Sequence, residues 1–420
     1  MNKPSYASSS SQLGKSVVDD LMARALVQKD LLSIAAGFTD NECLPMDLVS
    51  DAVQGLAAEG RTDILQYGSN QGRPGLRDEA LRCLSDHPGE SLSEALPDRD
   101  SVLISNGSQQ SLYLAMQSLC EPGDIVLVQA PTYFVFVELA RGLGIEMRSL
   151  PTRDDGSLDL TALPQALDAL KASEEFHRVK AVYFVSYFAN PTAHSLSVLE
   201  KVGLADELSK RSWYLPIVED AAYRDLWFEQ PPEAASVLSM NVFEAFPRLY
   251  LGTFTKPFAT GLRVGYGIFS DPEWCQRCAR LKSHQDFGTA NFNQSIIERV
   301  VLTEGWQRFQ VEMRAHYTRK KDAFIEALEE TRLKDLGFEW KEPQGGLLLW
   351  ARGPKSVDTG IESRLFEAAL DHKVLYVPGA VCMPEPDAQV STMRLSFGAL
   401  DADLFPEALK RLEQAVITCL

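Results

Sequence analysis

Short apolar runs alternate with helical patterns over most of the first 290 residues. Strand-like runs fall at 102–104, 125–128, 179–187, 214–218, 249–254 and 264–269. Between them, 108–119 and 198–209 repeat their apolar residues at helical spacing. That alternation predicts an α/β domain whose mostly parallel sheet is covered on both faces. Beyond about residue 290 the texture changes. One long helical pattern covers 295–328, with Arg319, Lys320 and Lys321 read onto a solvated face, and strand candidates follow at 347–350, 374–377 and 393–397. Leu404, Ala408, Leu412 and Val416 then recur at helical spacing. This C-terminal part reads as a smaller α+β domain. At the other end, a Ser-rich start precedes a short amphipathic helix over 17–27. The expected division is an N-terminal arm and part of the small domain over 1–50, a large domain over 51–290 and the small domain proper over 291–420. The large domain is then an insertion in the small one. No internal repeat is evident.

Composition narrows the function classes. The 420 residues are 45% hydrophobic and 24% charged, as in ordinary globular proteins, and can bury a sizeable core. The net charge of −17, from 41 basic and 58 acidic residues, argues against a nucleic-acid partner. No apolar run approaches the roughly 20 residues of a membrane helix, and no secretory signal pattern opens the chain, so a cytoplasmic address is the default expectation. The 7 cysteines are scattered, as reduced core thiols would be. Cys275 and Cys278 form a C-x-x-C, but the stretch EWCQRCARL reads as helix and no second Cys or His pair stands at zinc spacing. The 6 histidines are dispersed too, and no metal site is read.

The stretch 249–266, LYLGTFTKPFATGLRVGY, carries the first candidate chemistry. Lysines after strands are commonly solvated, yet Lys256 sits between two apolar runs and beside glycines that allow close backbone approach. An amine there suits condensation with an aldehyde cofactor, and Thr253, Thr255 and Arg263 supply donors for a phosphate on the same molecule. That combination describes pyridoxal phosphate. Asn106-Gly107-Ser108-Gln109-Gln110 opens a helix directly after a strand, which is either a plain cap by Ser108 or a phosphate-binding helix N-terminus. Glu219-Asp220 ends a strand, with Tyr223 shortly after, so Asp220 either caps a helix or pairs with a protonated ring nitrogen. Tyr133, after Pro131-Thr132, could stack on an aromatic cofactor, and Asn190 before Pro191 offers an amide to a phenolate oxygen. Taken singly, each is better read as a turn residue. Arg394, alone in the apolar strand 393–397, points either to solvent or to a buried anion such as a carboxylate.

In that order these motifs, with Gly345-Gly346 before an apolar strand, resemble fold-type I pyridoxal-phosphate aminotransferases of class I/II. Within them the chain is most similar to the kynurenine and 2-aminoadipate aminotransferase branch, over residues 30–420. The resemblance implies an aspartate aminotransferase-like fold with a seven-stranded-type sheet. It implies Lys256 as the lysine joined to the cofactor, Asp220 at the pyridine nitrogen, and Tyr223 and Asn190 at the ring hydroxyl, with Tyr133 stacked on the ring. It gives the phosphate to Ser108, Gln109, Thr253, Thr255 and Arg263, with Tyr67 reaching in from the other subunit of a homodimer. Arg394, with Asn190 and Gly37 beside it, takes the substrate carboxylate.

Three positions depart from the family pattern: Ala193 replaces the glycine of Asn-Pro-Thr-Gly, Ala221-Ala222 stand inside the Asp-Asp-Pro-Tyr motif, and Ala36 precedes Gly37 where two glycines are usual. No catalytic group is lost, but pocket shape and substrate preference are open. The resemblance implies transfer of an amino group between an L-amino acid, whether aromatic, of medium apolar size or like 2-aminoadipate, and a 2-oxo acid such as 2-oxoglutarate. Two other readings stand beside it: a lyase or decarboxylase using the same cofactor, and a regulatory module of this fold.

Overall fold

The computed structural model describes residues 30–90, 97–385 and 391–420, and Ala23. Apart from Ala23, the helix anticipated over 17–27 lies outside the described residues. The described chain opens with strand β1 (Leu32–Ser33) and helices α1 (Met46–Ala58) and α2 (Pro74–Ser85). The alternating region follows as β2 (Val102–Ser105), α3 (Ser108–Leu119), β3 (Ile125–Gln129), α4 (Phe134–Gly142), β4 (Glu146–Leu150), α5 (Leu163–Ala172), β5 (Val179–Val185) and α6 (Val198–Lys210). It closes with β6 (Ile217–Asp220), β7 (Arg248–Thr253), β8 (Gly265–Phe269) and α7 (Pro272–Gln285).

The large sheet has seven strands in the order β2-β8-β7-β6-β5-β3-β4. All pairings are parallel except those of β8, which runs against both neighbours. Its central strands read as unbroken apolar runs because both faces are covered. On one face Val126, Val128, Ala181, Tyr183 and Leu251 pack with α3, α4 and α7. On the other, Ile125, Val182, Phe184 and Ile217 pack with α5 and α6. Helix α6 is started by a capping box between Ser197 and Glu200. The C-x-x-C residues lie on α7, both thiols buried and free.

The C-terminal region holds α8 (Asn291–Val301), α9 (Glu304–Glu329), β9 (Glu339–Trp340), β10 (Leu348–Arg352), α10 (Arg364–Asp371), β11 (Val374–Leu375), β12 (Val377–Pro378), β13 (Thr392–Ser396) and α11 (Phe405–Cys419). A four-stranded sheet, β12-β13-β10-β9, is covered by α9, α10 and α11 around Phe324, Leu365, Phe366, Leu409 and Leu412. Strand β1 pairs in parallel with β11, tying residues 32–33 into this part of the molecule.

Several sequence expectations are corrected. The run over 214–218 forms a strand only from Ile217 to Asp220, because Pro216 has no N–H to give a ladder. The pattern over 295–328 is two helices, broken at Leu302-Thr303. The run over 374–377 is two short strands in different sheets, since β12 joins β13 while β11 joins β1. Strand β4 was not anticipated; its sequence, EMRSL, is half polar as befits a sheet edge. On α9, Arg319 is exposed as expected, but Lys320 and Lys321 are buried at 4% and 8% exposure. Lys320 Nζ meets Asp40 Oδ2 at 2.5 Å, and Lys321 Nζ meets Glu342 Oε1 at 2.5 Å. Their charges are paired across the fold, which permits the burial.

Candidate active site

Strands β2, β5, β6 and β7 all end at the same edge of the sheet, and a cavity of about 440 Å³ opens there. That size is within the roughly 300–1,000 Å³ of small-molecule sites, and a position beyond the carboxyl ends of parallel strands is where α/β folds bind ligands.

Asp220 is the last residue of β6 and is buried. Its Oδ1 accepts the Ala222 N–H at 3.1 Å and its Oδ2 accepts the Tyr183 hydroxyl at 3.1 Å. Burial pushes this carboxyl up to about 6, against the pull of those two donors. The neighbouring Glu219 projects to the other face of the strand, where it bonds Lys201 Nζ at 2.6 Å, the Ser186 hydroxyl and the Val237 N–H. Glu219 is thus part of a fully buried ion pair behind the site and does not face the cavity.

Lys256 follows β7 and its Nζ donates to Gly37 O at 2.6 Å, with the Tyr223 ring 5.6 Å away. Burial, together with the charges of Arg394 and Arg263, lowers its amine to about 8. Tyr223 is pushed up to about 12 by burial, which a hydrogen bond with Asn190 partly offsets. On β13, Arg394 donates through Nη1 to Asn190 Oδ1 at 3.0 Å and through Nη2 to Ala35 O. Its Nε is buried without a partner, and the guanidinium carbon lies 5.0 Å from the centre of the Phe134 ring. A Cβ at Gly37 would come within 3.8 Å of both Arg394 terminal nitrogens.

At the other end of the cavity α3 begins at Gly107, φ 72°, with no side-chain cap. Ser108 therefore is not the cap, the first N–H groups of α3 have no partner within the helix, and Gly107, Ser108 and Gln109 form part of the cavity lining. Thr253, Thr255 and Arg263 line it as well, Arg263 in a left-handed conformation at φ 55°. A Cβ on Gly107 would sit 2.9 Å from Arg263 Nη2, so the missing side chain lets the guanidinium approach the helix start. Free N–H groups, hydroxyls and a guanidinium make a cup for a phosphate dianion. A buried carboxylate, an amine and the aromatic ring of Tyr133 belong to the same lining, and the residues present fit pyridoxal phosphate.

Tyr67 stands apart from this lining. It is 78% exposed, edge-on to Phe287 with ring centres 5.5 Å apart. Ala193 holds φ 58° where the family carries glycine, and Ala36 lines the cavity beside Gly37. Sequence reading passed over Phe38 and Thr260, which line the cavity, and Tyr183, which holds Asp220. A hydroxyl on a strand buried on both faces must find a partner, and that signal marks Tyr183.

The fold and the site define a pyridoxal-phosphate enzyme of the aspartate aminotransferase type. Residues 34–412 match the family described as aminotransferase class I and II, and the chain belongs to that family. It is similar to aromatic-amino-acid aminotransferase 1 of Thermococcus litoralis, 28% identical over 92% of this chain and 88% of that one. It is equally similar to 2-aminoadipate transaminase of Thermus thermophilus, 28% identical over 92% and 90% of the two chains. The crystal structure of a kynurenine aminotransferase from Pyrococcus horikoshii, complexed with PMP, superposes with a TM-score of 0.88 at 28% identity, covering 98% of this chain and 97% of that one. The protein is an aminotransferase that moves an amino group between an amino acid and a 2-oxo acid with pyridoxal phosphate as cofactor. Among the described residues no helix is long and apolar enough to cross a membrane.

Proposed function

We propose that the amino donor is an L-amino acid with an aromatic or medium-sized apolar side chain. The observation that carries this is the cavity wall. Around Arg394 it is built from Ala35, Ala36, Phe38, Phe134, Val135 and Val377, and the cations among the described lining residues are Lys256, Arg263 and Arg394 alone. With Arg263 at the phosphate cup and Arg394 at the α-carboxylate, no described cation is left for an acidic side chain. The names of the aromatic-amino-acid and kynurenine relatives support the same reading.

The geometry supports the following residue roles. Arg394 offers a planar fork to the α-carboxylate and so fixes the donor's orientation. Lys256, with an amine near neutrality, is suited to take a proton from the donor's α-carbon and return it elsewhere. Asp220 is held as a carboxylate to face a ring nitrogen, and Asn190 with Tyr223 offers hydrogen bonds to a ring oxygen. When bound, pyridoxal phosphate supplies a conjugated cation that withdraws electrons from the donor's α-carbon. The uncapped start of α3, with Ser108, Gln109, Thr253, Thr255 and Arg263, holds the phosphate.

We also assign a homodimer in which Tyr67 reaches the partner's site. Tyr67 and Phe287, which meet edge to edge, are 78% and 61% exposed, and Leu65 two positions before Tyr67 is 76% exposed, apolar surface that a partner subunit would cover. The boundary between large and small lobes is best drawn inside α9, because Trp306, Phe309 and Met313 pack with the large sheet's flanking helices while Phe324 and Leu328 pack with the small sheet. The seven free thiols support a reducing, cytoplasmic setting.

A panel of amino acids offered to the purified holoenzyme without an oxo-acid acceptor tests the function. Phenylalanine, tyrosine and leucine are expected to release one equivalent of 2-oxo acid per site, faster than glutamate or 2-aminoadipate. A preference for the acidic donors would overturn the assignment of substrate class. Continuous release of ammonia or carbon dioxide would instead indicate the lyase or decarboxylase reading.

A further inference from the structure

Tyr183 lies on β5, two residues before the strand ends, and is fully buried at 0% exposure. Its ring packs on Phe136 with centres 3.9 Å apart. Its hydroxyl reaches across to the next strand and donates to Asp220 Oδ2 at 3.1 Å. Among the described residues this is the side-chain hydrogen bond that Asp220 receives; the other donor is the Ala222 N–H on Oδ1. The phenol is far from ionising, because burial and the neighbouring Asp220 charge push it well up, so it keeps the proton it donates to the carboxylate.

We propose that Tyr183 is a positioning residue for Asp220. It fixes the carboxylate's orientation from behind and stabilises its ionised form, so that the carboxylate keeps the cofactor's ring nitrogen protonated. Asp220 sits where ionisation is unfavourable: it is buried beside Glu219, and Tyr133 and Tyr223 are close enough to feel its charge. A hydrogen bond to a charged group is worth more than one between neutral groups, and more still away from water. Losing one of two donors therefore favours the neutral acid, which cannot hold a proton on the ring nitrogen. The orientation matters as well. Asp220 ends its strand, and a carboxylate tied only through Oδ1 can rotate about its terminal bond, whereas two donors on two oxygens fix its plane.

The inference rests on the assignment of Asp220 to the ring nitrogen, and the test separates the two. Tyr183→Phe, Asp220→Asn and Phe136→Leu are each loaded with ¹⁵N-labelled pyridoxal phosphate, and the ring-nitrogen shift is read by NMR beside steady-state kinetics. For Tyr183→Phe the nitrogen signal is expected to move toward the unprotonated value, with kcat falling roughly tenfold and KM for the amino donor little changed. Phe136→Leu removes the ring contact but keeps the hydroxyl; it is expected to lower the melting temperature and leave the nitrogen signal in place. A Tyr183→Phe protein with the wild-type signal, while Asp220→Asn shifts it, would overturn the role of Tyr183 alone. If neither variant shifts it, the assignment of Asp220 fails too. Should Tyr183→Phe not fold, 4-fluorophenylalanine installed at position 183 fills the place of the hydroxyl without a donor, and an unmoved nitrogen signal would overturn the proposal.

Discussion

At the scale of single residues, burial moves the site's ionisable groups away from the protonation that water would set. Lys256 has its amine lowered to about 8 by burial first and by Arg394 and Arg263 second. A lysine at its ordinary value of 10.5 would carry a proton through the whole physiological range and could act neither as nucleophile nor as base. In the cofactor-free protein, labelling of Lys256 by an amine-directed acylating reagent is expected to rise with an apparent midpoint near 8. Arg394→Gln removes the larger of the two charge effects and is expected to move that midpoint upward. A midpoint that stays put would show that Arg394 does not act on the amine. The linkage has a definite sign. Between about 8 and 10.5 the folded state binds fewer protons at Lys256 than the unfolded state does, so this residue makes the cofactor-free protein more stable as pH rises through that window. Lys256→Ala is expected to abolish that rise and to lower turnover by roughly 10²–10⁴-fold at the least.

At the scale of elements, the loop from Ala35 to Asp40 is a strap across the site, and it is secured at both ends. Arg394 holds Ala35 O, Lys256 holds Gly37 O, and Asp40 is anchored to α9. The Asp40 carboxylate accepts from Lys320 Nζ at 2.5 Å and His316 Nε2 at 2.9 Å, while its own N–H donates to the Tyr317 hydroxyl at 2.9 Å. Burial pushes this carboxyl up, but the Lys320 and His316 bonds outweigh it and leave the acid below its ordinary value. Its stabilisation is present above the usual carboxylate range and is lost as pH falls through the lowered value. Asp40→Asn strands a nearly buried ammonium and is expected to cost roughly 2–4 kcal/mol, read as a lower melting temperature, and to raise KM as the strap loosens. An unchanged melting temperature would show that the anchor is not used. This element also marks the limit of sequence reading. Asp40 and Lys320 are 280 residues apart, and nothing local distinguishes Lys320 from its exposed neighbour Arg319. Short-range signals were legible: a glycine at the start of α3, an acid at the end of β6, a lysine after β7. Pairings across the fold, such as Tyr183 with Asp220 or Lys201 with Glu219, depend on which strands and helices become neighbours, and one sequence does not carry that information in any short window.

At the scale of the whole molecule, one chain brings together a phosphate cup, an amine, a carboxylate and a guanidinium, yet leaves Tyr67 on its surface. Tyr67 is 78% exposed beside Phe287, itself 61% exposed, and Arg263 of the cup is also exposed in the single chain. A cup open to water binds a dianion weakly, because each donor must give up hydration to bind and salt screens the charge. A second copy that covers this edge with its own Tyr67 would close the cup and add a hydroxyl donor. The arrangement makes a prediction about hybrids that a purely structural tyrosine does not. Lys256→Ala and Tyr67→Phe are each expected to impair their own homodimers, the second through weaker cofactor binding. In a mixed dimer, the site that keeps Lys256 sits on the Tyr67→Phe subunit and receives an intact Tyr67 from its Lys256→Ala partner. One site per hybrid is then wild-type in every residue. Coexpression with two affinity tags and isolation of the doubly tagged species should yield half the wild-type activity per dimer, with wild-type cofactor affinity at that site. If Tyr67 served its own subunit, the hybrid would hold no complete site, and its activity would not exceed half that of the Tyr67→Phe homodimer; if it served none, the Tyr67→Phe homodimer would itself be unimpaired.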